Sequence, residues 1–458
     1  MKTIFITLSR GAIARNIFHT DVYRVLREAG VRLVFLTTAW NNEEFTRALS
    51  APNVFFEPLP RAKWGILDVA LIGLAKGLIY NRSTELVDRY GIYSIREANY
   101  LRYLLKRFFF APLSRFRFLR TALRFVDQRL TLDHALIPVF EKYKPDLVYS
   151  TNPSESDDAT VLKCAKHLGV PTVEMPKSWD NLSKLSFRSK ADTLLAWSEY
   201  VKDDAMKFQD YAPNEIRIVG IPHFDIYARK EPPMSREDFF RAIGADSNKR
   251  LLLFGSEGKV SANDADIVET IIGFMKKHEL AKECQLFIRP YFSFSGDEKK
   301  FTRFNGVPDV IIDRWFKPNN AFYDHWDYSR EQYEFMANLL RHSDMMVTSM
   351  STLTLDASAN DLPVVNIAYD GYETKPYGES MTRYYDSEHY WRVVETGAPW
   401  LTRNAQELKE AINAYLTNPS IRRDGRRRLV DYFCAPLDGR AGERVARFLL
   451  ERAGARLT

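Results

Sequence analysis

DMMVTSMSTLTLDASANDLPVV, Asp344 to Val365, reads as a strand, a turn, a helix and a second strand in immediate succession. An apolar run ends in Thr348-Ser349, the hydroxyl-rich turn Met350-Ser351-Thr352 follows, and a helix opens at Leu353 before the chain extends again at Pro363. A strand that returns through a helix to lie beside itself is the repeating unit of open α/β sheets. The hydroxyls of Ser349, Ser351 and Thr352 and the amides of the helix start suit a phosphate or diphosphate, whereas helix capping by Ser351 or Thr352 explains the same residues without a ligand.

Outward from this stretch the same alternation continues almost from end to end. Strands are expected at Thr3 to Leu8, Arg32 to Thr37, Val54 to Pro58, Asp146 to Ser150, Thr172 to Met175, Thr193 to Trp197 and Ile216 to Val219. After Gly220 the segment IPHFDIYARKEPPMSRED, with paired prolines and charges, marks a linker. A second series follows at Arg250 to Phe254, Gln285 to Arg289, Asp309 to Asp313, Met345 to Thr348 and Pro363 to Ile367, with helices at Asp264 to Lys277 and Tyr328 to Arg341 among the intervening segments. The expected fold is α/β: two Rossmann-like domains facing across a cleft, residues 1–222 and 230–440, with a closing helix in 441–458. Ligands of open sheets lie beyond the carboxyl ends of the strands, which places the site in that cleft.

Composition agrees. A chain of 458 residues with 45% hydrophobic and 27% charged residues has material for two cores. Cys164, Cys284 and Cys434 are far apart, so neither a disulfide framework nor a zinc cluster is suggested, and a cytoplasmic setting fits. The apolar run before Ser9 is too brief for a signal peptide, and Trp64 to Tyr80 is too short and too charged to span a bilayer.

A helical insertion at about 62–130 breaks the alternation. Between Leu101 and Phe125 seven basic residues interleave with seven aromatics and no acid. That pattern suits an anionic membrane surface, placing the chain peripherally on the inner face of the plasma membrane. The plainer reading is a helical pair with aromatics in the core and arginines in water. Nucleic-acid binding is not expected, because no recognisable module is present.

Other strand ends supply further candidates. LLLFGSEGK carries Gly255, Ser256, Glu257 and Lys259, and QLFIRP ends at Arg289; together they offer close backbone approach and positive charge to an anionic donor. On the N-terminal side Glu155, Asp157, Asp158 and Asp180 are candidate general bases, alternatives to which are helix capping and solvation. Arg10 and Gly11 after the first strand, with Arg15, Asn16 and His19 on the first helix, are acceptor-side candidates, Gly11 as the residue permitting a tight turn.

STLTLDASANDLPVV resembles the donor-site segment of GT-B glycosyltransferases and of the related glycerophosphotransferases and sugar-nucleotide epimerases. TLSRGAIARN (Thr7 to Asn16), PKSWDNLS (Pro176 to Ser183) and IRIVGIPHFDIY (Ile216 to Tyr227) are similar to segments of a bacterial glycosyltransferase-like family of surface-polysaccharide biosynthesis. The resemblance implies a nucleotide-sugar donor in the C-terminal domain, a glycan or lipid-linked acceptor in the N-terminal domain, and neither cofactor nor obligatory metal. Relatives using cytidine donors commonly carry His-Pro where this chain has Arg289-Pro290; His223 follows a different strand and is a donor-binding candidate, with an interdomain role as the alternative. Asp264-Ala265-Asp266 opens a helix, where first-turn acids are expected anyway, and Asp324-His325-Trp326-Asp327 has the wrong spacing for a metal pair. The leading expectation is a glycosyltransferase. Its rivals are an epimerase or glycerol-phosphate-type transferase on the same fold, and a non-catalytic membrane-associated scaffold.

Overall fold

The computed structural model describes residues 1–62, 64–230, 233–292 and 296–455. Its first sheet has seven parallel strands: β1 (Thr3–Leu8), β2 (Arg32–Thr37), β3 (Val54–Pro58), β4 (Leu147–Ser150), β5 (Thr172–Glu174), β6 (Thr193–Ala196) and β7 (Ile216–Ile218), in the order β3-β2-β1-β4-β5-β6-β7. The second has six: β8 (Arg250–Gly255), β9 (Cys284–Arg289), β10 (Val310–Ile312), β11 (Met345–Thr348), β12 (Val364–Ile367) and β13 (Trp400–Thr402), in the order β10-β9-β8-β11-β12-β13. Both orders reverse beside the first strand of the sheet, the switch point at which open sheets bind ligands.

The central strands are apolar runs buried on both faces, as parallel sheets covered by helices require. All six residues of β1 are buried, and so are all four of β4 and of β11. Each fully buried Ile, Leu or Val adds roughly 1.5–3 kcal/mol of transfer free energy. Strand β13, absent from the expected series, is a short edge strand that pairs with β12 through Trp400 opposite Val365. Its three residues lack the apolar run that marks a central strand.

The closing helix, Ala441–Ala453, leaves its own domain and packs on helix Asp21–Glu28 of the first. Asp225 in the linker holds its start, accepting from Ala441 N at 2.9 Å and Gly442 N at 2.8 Å. The insertion forms helices Ile66–Gly77, Arg82–Tyr90, Tyr100–Leu105 and Arg117–Leu130. It is anchored from below: Arg120 and Arg124 both reach Asp210, and Asp127 takes Lys163 and Arg188. Its edge also touches the second domain, where Ser83 Oγ lies 3.2 Å from His389 Nδ1.

Candidate functional site

The carboxyl ends of the two sheets face each other, and the turn after β11 meets the other domain there. Trp179, in the loop after β5, donates its indole Nε1–H to Thr352 Oγ1 at 3.2 Å. Thr352 is exposed, while Ser349 and Ser351 are buried. Ser349 Oγ, buried at the end of β11, has no hydrogen-bond partner among the described residues, which is uncommon for a buried hydroxyl.

The amides of this turn are less available than the sequence suggests. Ser351 N donates to Tyr390 OH at 3.2 Å, and Leu353 N to Ser351 Oγ at 3.0 Å. Tyr390 further contacts Thr354 Oγ1 at 2.8 Å and donates to Asn366 Oδ1 at 2.9 Å, so it fixes the turn from beneath. The helix that follows, Leu353–Ala359, has only seven residues. Anion binding here rests on hydroxyls and cations rather than on a long helix dipole.

Those cations come from both domains. Arg15 is recessed at the cleft; burial first, and Arg289 beside it, lower its pKa, against the opposing influence of Tyr227, Asp356 and Tyr333. Its guanidinium donates to Asn16 Oδ1 at 2.9 and 3.1 Å and lies over the Trp326 ring at 5.5 Å. Arg289, buried at the end of β9, is ion-paired to Asp313. Burial pushes Asp356 up to about 6, and Tyr227 OH donates to it at 2.8 Å.

The loop after β8 divides its residues between tasks. Gly255 has no space beside it: a Cβ there would lie 2.6 Å from Leu353 Cδ1, so the glycine serves packing of the following helix, not a ligand. Ser256 is buried and donates to Asp264 Oδ2 at 2.6 Å. Glu257 stands against Ser351, and burial raises its carboxyl to about 8, with Asp264 adding to the rise and Ser351 and Lys184 opposing it. Lys259 is exposed and lies with Asn263, Asp370 and Arg383 around a small cavity at the edge of the insertion.

The N-terminal carboxylates separate just as clearly. Asp158 is fully buried beneath the β1–β4 junction, accepting from Thr7 Oγ1, from Ser150 Oγ at 2.9 Å and from Asn152 N at 3.1 Å. Burial lifts it to about 7, and its bonds hold strand ends together. Asp157, half-buried, accepts from Ala62 N at 2.7 Å and is raised by burial, with Glu155 adding to the rise. Glu155 is paired to Arg10, whose guanidinium lies over Tyr323 at 4.6 Å. Burial would raise Asp180, but the charge of Lys184, at 2.5 Å, and the hydroxyl of Ser178, donating to it at 2.5 Å, hold it well below the usual carboxylate range.

Gly11 lies under a loop of the other domain. A Cβ there would be 2.9 Å from Trp326 O, so the close approach of residues 324–326 demands the glycine; its φ is not in the left-handed region that a tight turn would need. His19 Nε2 bonds Tyr328 O at 2.7 Å, another contact across the domains. His223 begins the linker, its carbonyl accepting from Tyr333 OH at 3.2 Å, and burial with Arg15 nearby keeps its ring well below the usual histidine pKa. Of the acid pairs, Asp264 is occupied by Ser256 and Ser261, Asp324 by Gly11 N, and Asp327 by Lys317 N and Ser329 N.

Trp179, Lys177, Lys184, Tyr227, Asp356, His389 and Tyr390 belong to the site but were not singled out as site residues in the sequence. Lys177 is half-buried between Arg10 and Asp180; burial lowers its pKa, as does Arg10. His389 stacks edge-on against Trp179 at 5.3 Å, and burial and Lys184 keep it neutral. The segments Pro176 to Ser183, Ile216 to Tyr227 and Ser351 to Val365 pointed toward Lys177, Trp179, Tyr227 and Asp356, whereas nothing in the sequence pointed to Lys184, His389 or Tyr390.

Two open parallel sheets meeting at a cleft lined by their strand ends define the GT-B architecture, and this chain has it. Comparison with known proteins agrees. Residues 317–451 match the model of a family described as CDP-glycerol:poly(glycerophosphate) glycerophosphotransferase. The UDP-GlcNAc 2-epimerase of Neisseria meningitidis superposes with a TM-score of 0.55 at 11% identity, covering 98% of this chain and 100% of its own. That of Methanocaldococcus jannaschii does so at 0.53 and 14%, again covering 98% and 100%. The wall teichoic acid polymerase TagF superposes at 0.51 and 10%, covering 100% of this chain and 89% of its own. At such identities the likeness is one of fold. No curated protein is matched by sequence.

Proposed function

We propose that this protein is a transferase that takes a glycosyl group from a nucleotide-activated donor held by the C-terminal domain and passes it to a hydroxyl of a cell-surface glycan or lipid-linked acceptor. The observation that carries the reading is the position of the Ser349 to Thr352 turn: it ends β11 at the cleft, is met there by Trp179 of the other domain, and includes a buried hydroxyl without a partner among the described residues. A donor diphosphate seated on Ser349 and Thr352 would lie toward Arg15 and Arg289, whose charges stabilise a leaving phosphate. Glu257, protonated at neutral pH, adds a hydrogen-bond donor beside Ser351. Asp157 is the proposed base, because its raised pKa brings it nearer the proton-accepting range, whereas Asp158 is locked in structure and Asp180 in its pair with Lys184.

The family model over residues 317–451 favours a second reading, transfer of a glycerophosphoryl group from a CDP-alditol. The epimerase-like fold alone supports isomerisation less well, since it says nothing of an acceptor. Neither cofactor nor metal enters the proposal: Asp264, Asp324 and Asp327 are engaged by protein donors. Thermal shift with UDP-, GDP-, dTDP-, CMP- and CDP-linked donors tests it, because a ligand at 100 times its Kd stabilises the native state by about 2.7 kcal/mol. Stabilisation by a nucleotide-sugar supports glycosyl transfer, stabilisation by CDP-glycerol alone supports the second reading, and no response to any donor overturns both.

A further inference from the structure

The insertion turns its aromatic side chains outward. Phe108, Phe109, Phe116, Phe118 and Phe125 are 67%, 62%, 52%, 66% and 57% exposed, and on the neighbouring helix Ile66 is 93% exposed. Helices Ile66–Gly77 and Arg117–Leu130 pack on each other, with Phe110 filling the space over Gly77, so these residues belong to one helical layer. This inverts the plainer expectation of buried rings and solvated arginines. Arg120 is the buried member, tied to Asp210, and Tyr103 is the one buried ring of the stretch from Leu101 to Phe125. A monomer leaves so much large apolar surface open only where something covers it.

Charge identifies the cover. Residues 64–130 hold twelve basic side chains and five acids, a net +7 against +6 for the whole chain. All five acids are engaged by bonds within the protein: Asp68 and Asp127 by Arg188, Asp88 by Arg102 and Lys106, Glu85 by Arg107, and the exposed Glu97 by the amides of Ile92 and Tyr93. Arg115 and Arg129 are exposed and carry no ion pair among the described residues. Exposed rings set among uncompensated cations match an anionic lipid surface, where rings enter the headgroup region and cations meet phosphates. No helix among the described residues is long and apolar enough to cross a membrane.

We infer that this helical layer is a monotopic docking face for an anionic bilayer. It also contacts the second domain beside the cleft through Ser83 and His389, which sets the bilayer next to the site rather than remote from it. The inference does not depend on which group is transferred.

The experiment is co-sedimentation of the full chain with vesicles of phosphatidylcholine alone and with vesicles of phosphatidylcholine mixed with phosphatidylglycerol. The expected result is binding to the anionic vesicles, at least about tenfold weaker to neutral ones and weakened by salt. Two variants, Phe108→Ser with Phe109→Ser and Phe118→Ser, and Arg115→Glu with Arg129→Glu, should each lose about tenfold or more in binding while keeping the melting temperature, since none of these side chains supports the core. Wild-type protein remaining in the supernatant, or both variants sedimenting as the wild type does, overturns the inference. So does a lipid-free homodimer that the phenylalanine variant dissolves, because the cover would then be a second copy.

Discussion

The backbone N–H of Gly11 donates to Asp324 Oδ1 at 3.1 Å, joining the first turn of one domain to a loop of the other. A methyl group at position 11 would sit 2.9 Å from Trp326 O, a backbone atom that has to move. Gly11→Ala should therefore destabilise the protein by about 1–3 kcal/mol through overpacking. It should also weaken donor binding, since Arg15 packs on Trp326 in the same loop. Thermal melts with and without donor check both effects, and unchanged values for both would show that this junction does not organise the cleft.

Two adjacent carboxylates should behave in opposite ways. Asp158→Ala removes an acceptor shared by Thr7, Ser150 and Asn152 N and should cost about 1–3 kcal/mol for each donor left without a partner. Asp157→Asn leaves the fold intact and, if Asp157 is the base, lowers kcat by about 10²–10⁴-fold. Melting temperature and turnover measured on the two variants separate these roles, and full turnover by Asp157→Asn removes it from the chemistry.

Glu257 gives the stability a pH dependence. Its carboxyl is held near 8 in the folded protein against 4.5 for the unconstrained group, so the folded state binds the extra proton between those values. The stability it contributes is complete below about pH 4.5 and is lost as pH rises toward 8. Glu257→Gln, which cannot ionise, should gain melting temperature relative to the wild type as pH climbs through this window, and the gain should level off above it. A constant difference across the range would place the carboxyl in water.

Arg15 should show a trade between stability and binding. Its guanidinium is recessed beside Arg289, with Asn16 Oδ1 as its hydrogen-bond acceptor, which is costly unless an anion arrives. Arg15→Met should hold or raise the melting temperature of the free protein and weaken donor binding by about tenfold or more, equivalent to roughly 1.4 kcal/mol. Calorimetric titration of the donor that stabilises the wild type reads this directly. Undiminished affinity would move the phosphate elsewhere.

The outer framework was legible along the chain because central strands of parallel sheets must be apolar throughout, and β1, β2 and β11 lie where those runs stand. The edge strand β13 escaped because one face of pairing and three residues leave no such run. The turn at Ser351 was legible as a strand end, but not the occupation of its amide by Tyr390, 39 residues away in sequence. Likewise the basic and aromatic letters of the insertion announced a surface function, yet nothing in their order told which would face inward.

Sequence by itself determined that there are two open sheets, because hydrophobic period and turn chemistry are local properties. Tertiary structure alone decided which polar groups are spent on the protein and which remain for a ligand. Asp157 and Asp158 are neighbours in the chain, but the second is buried beneath two strands and the first is half-buried against Ala62 N. Burial and partners are set by what distant segments bring, and these fix both the charge of a group and its freedom to react.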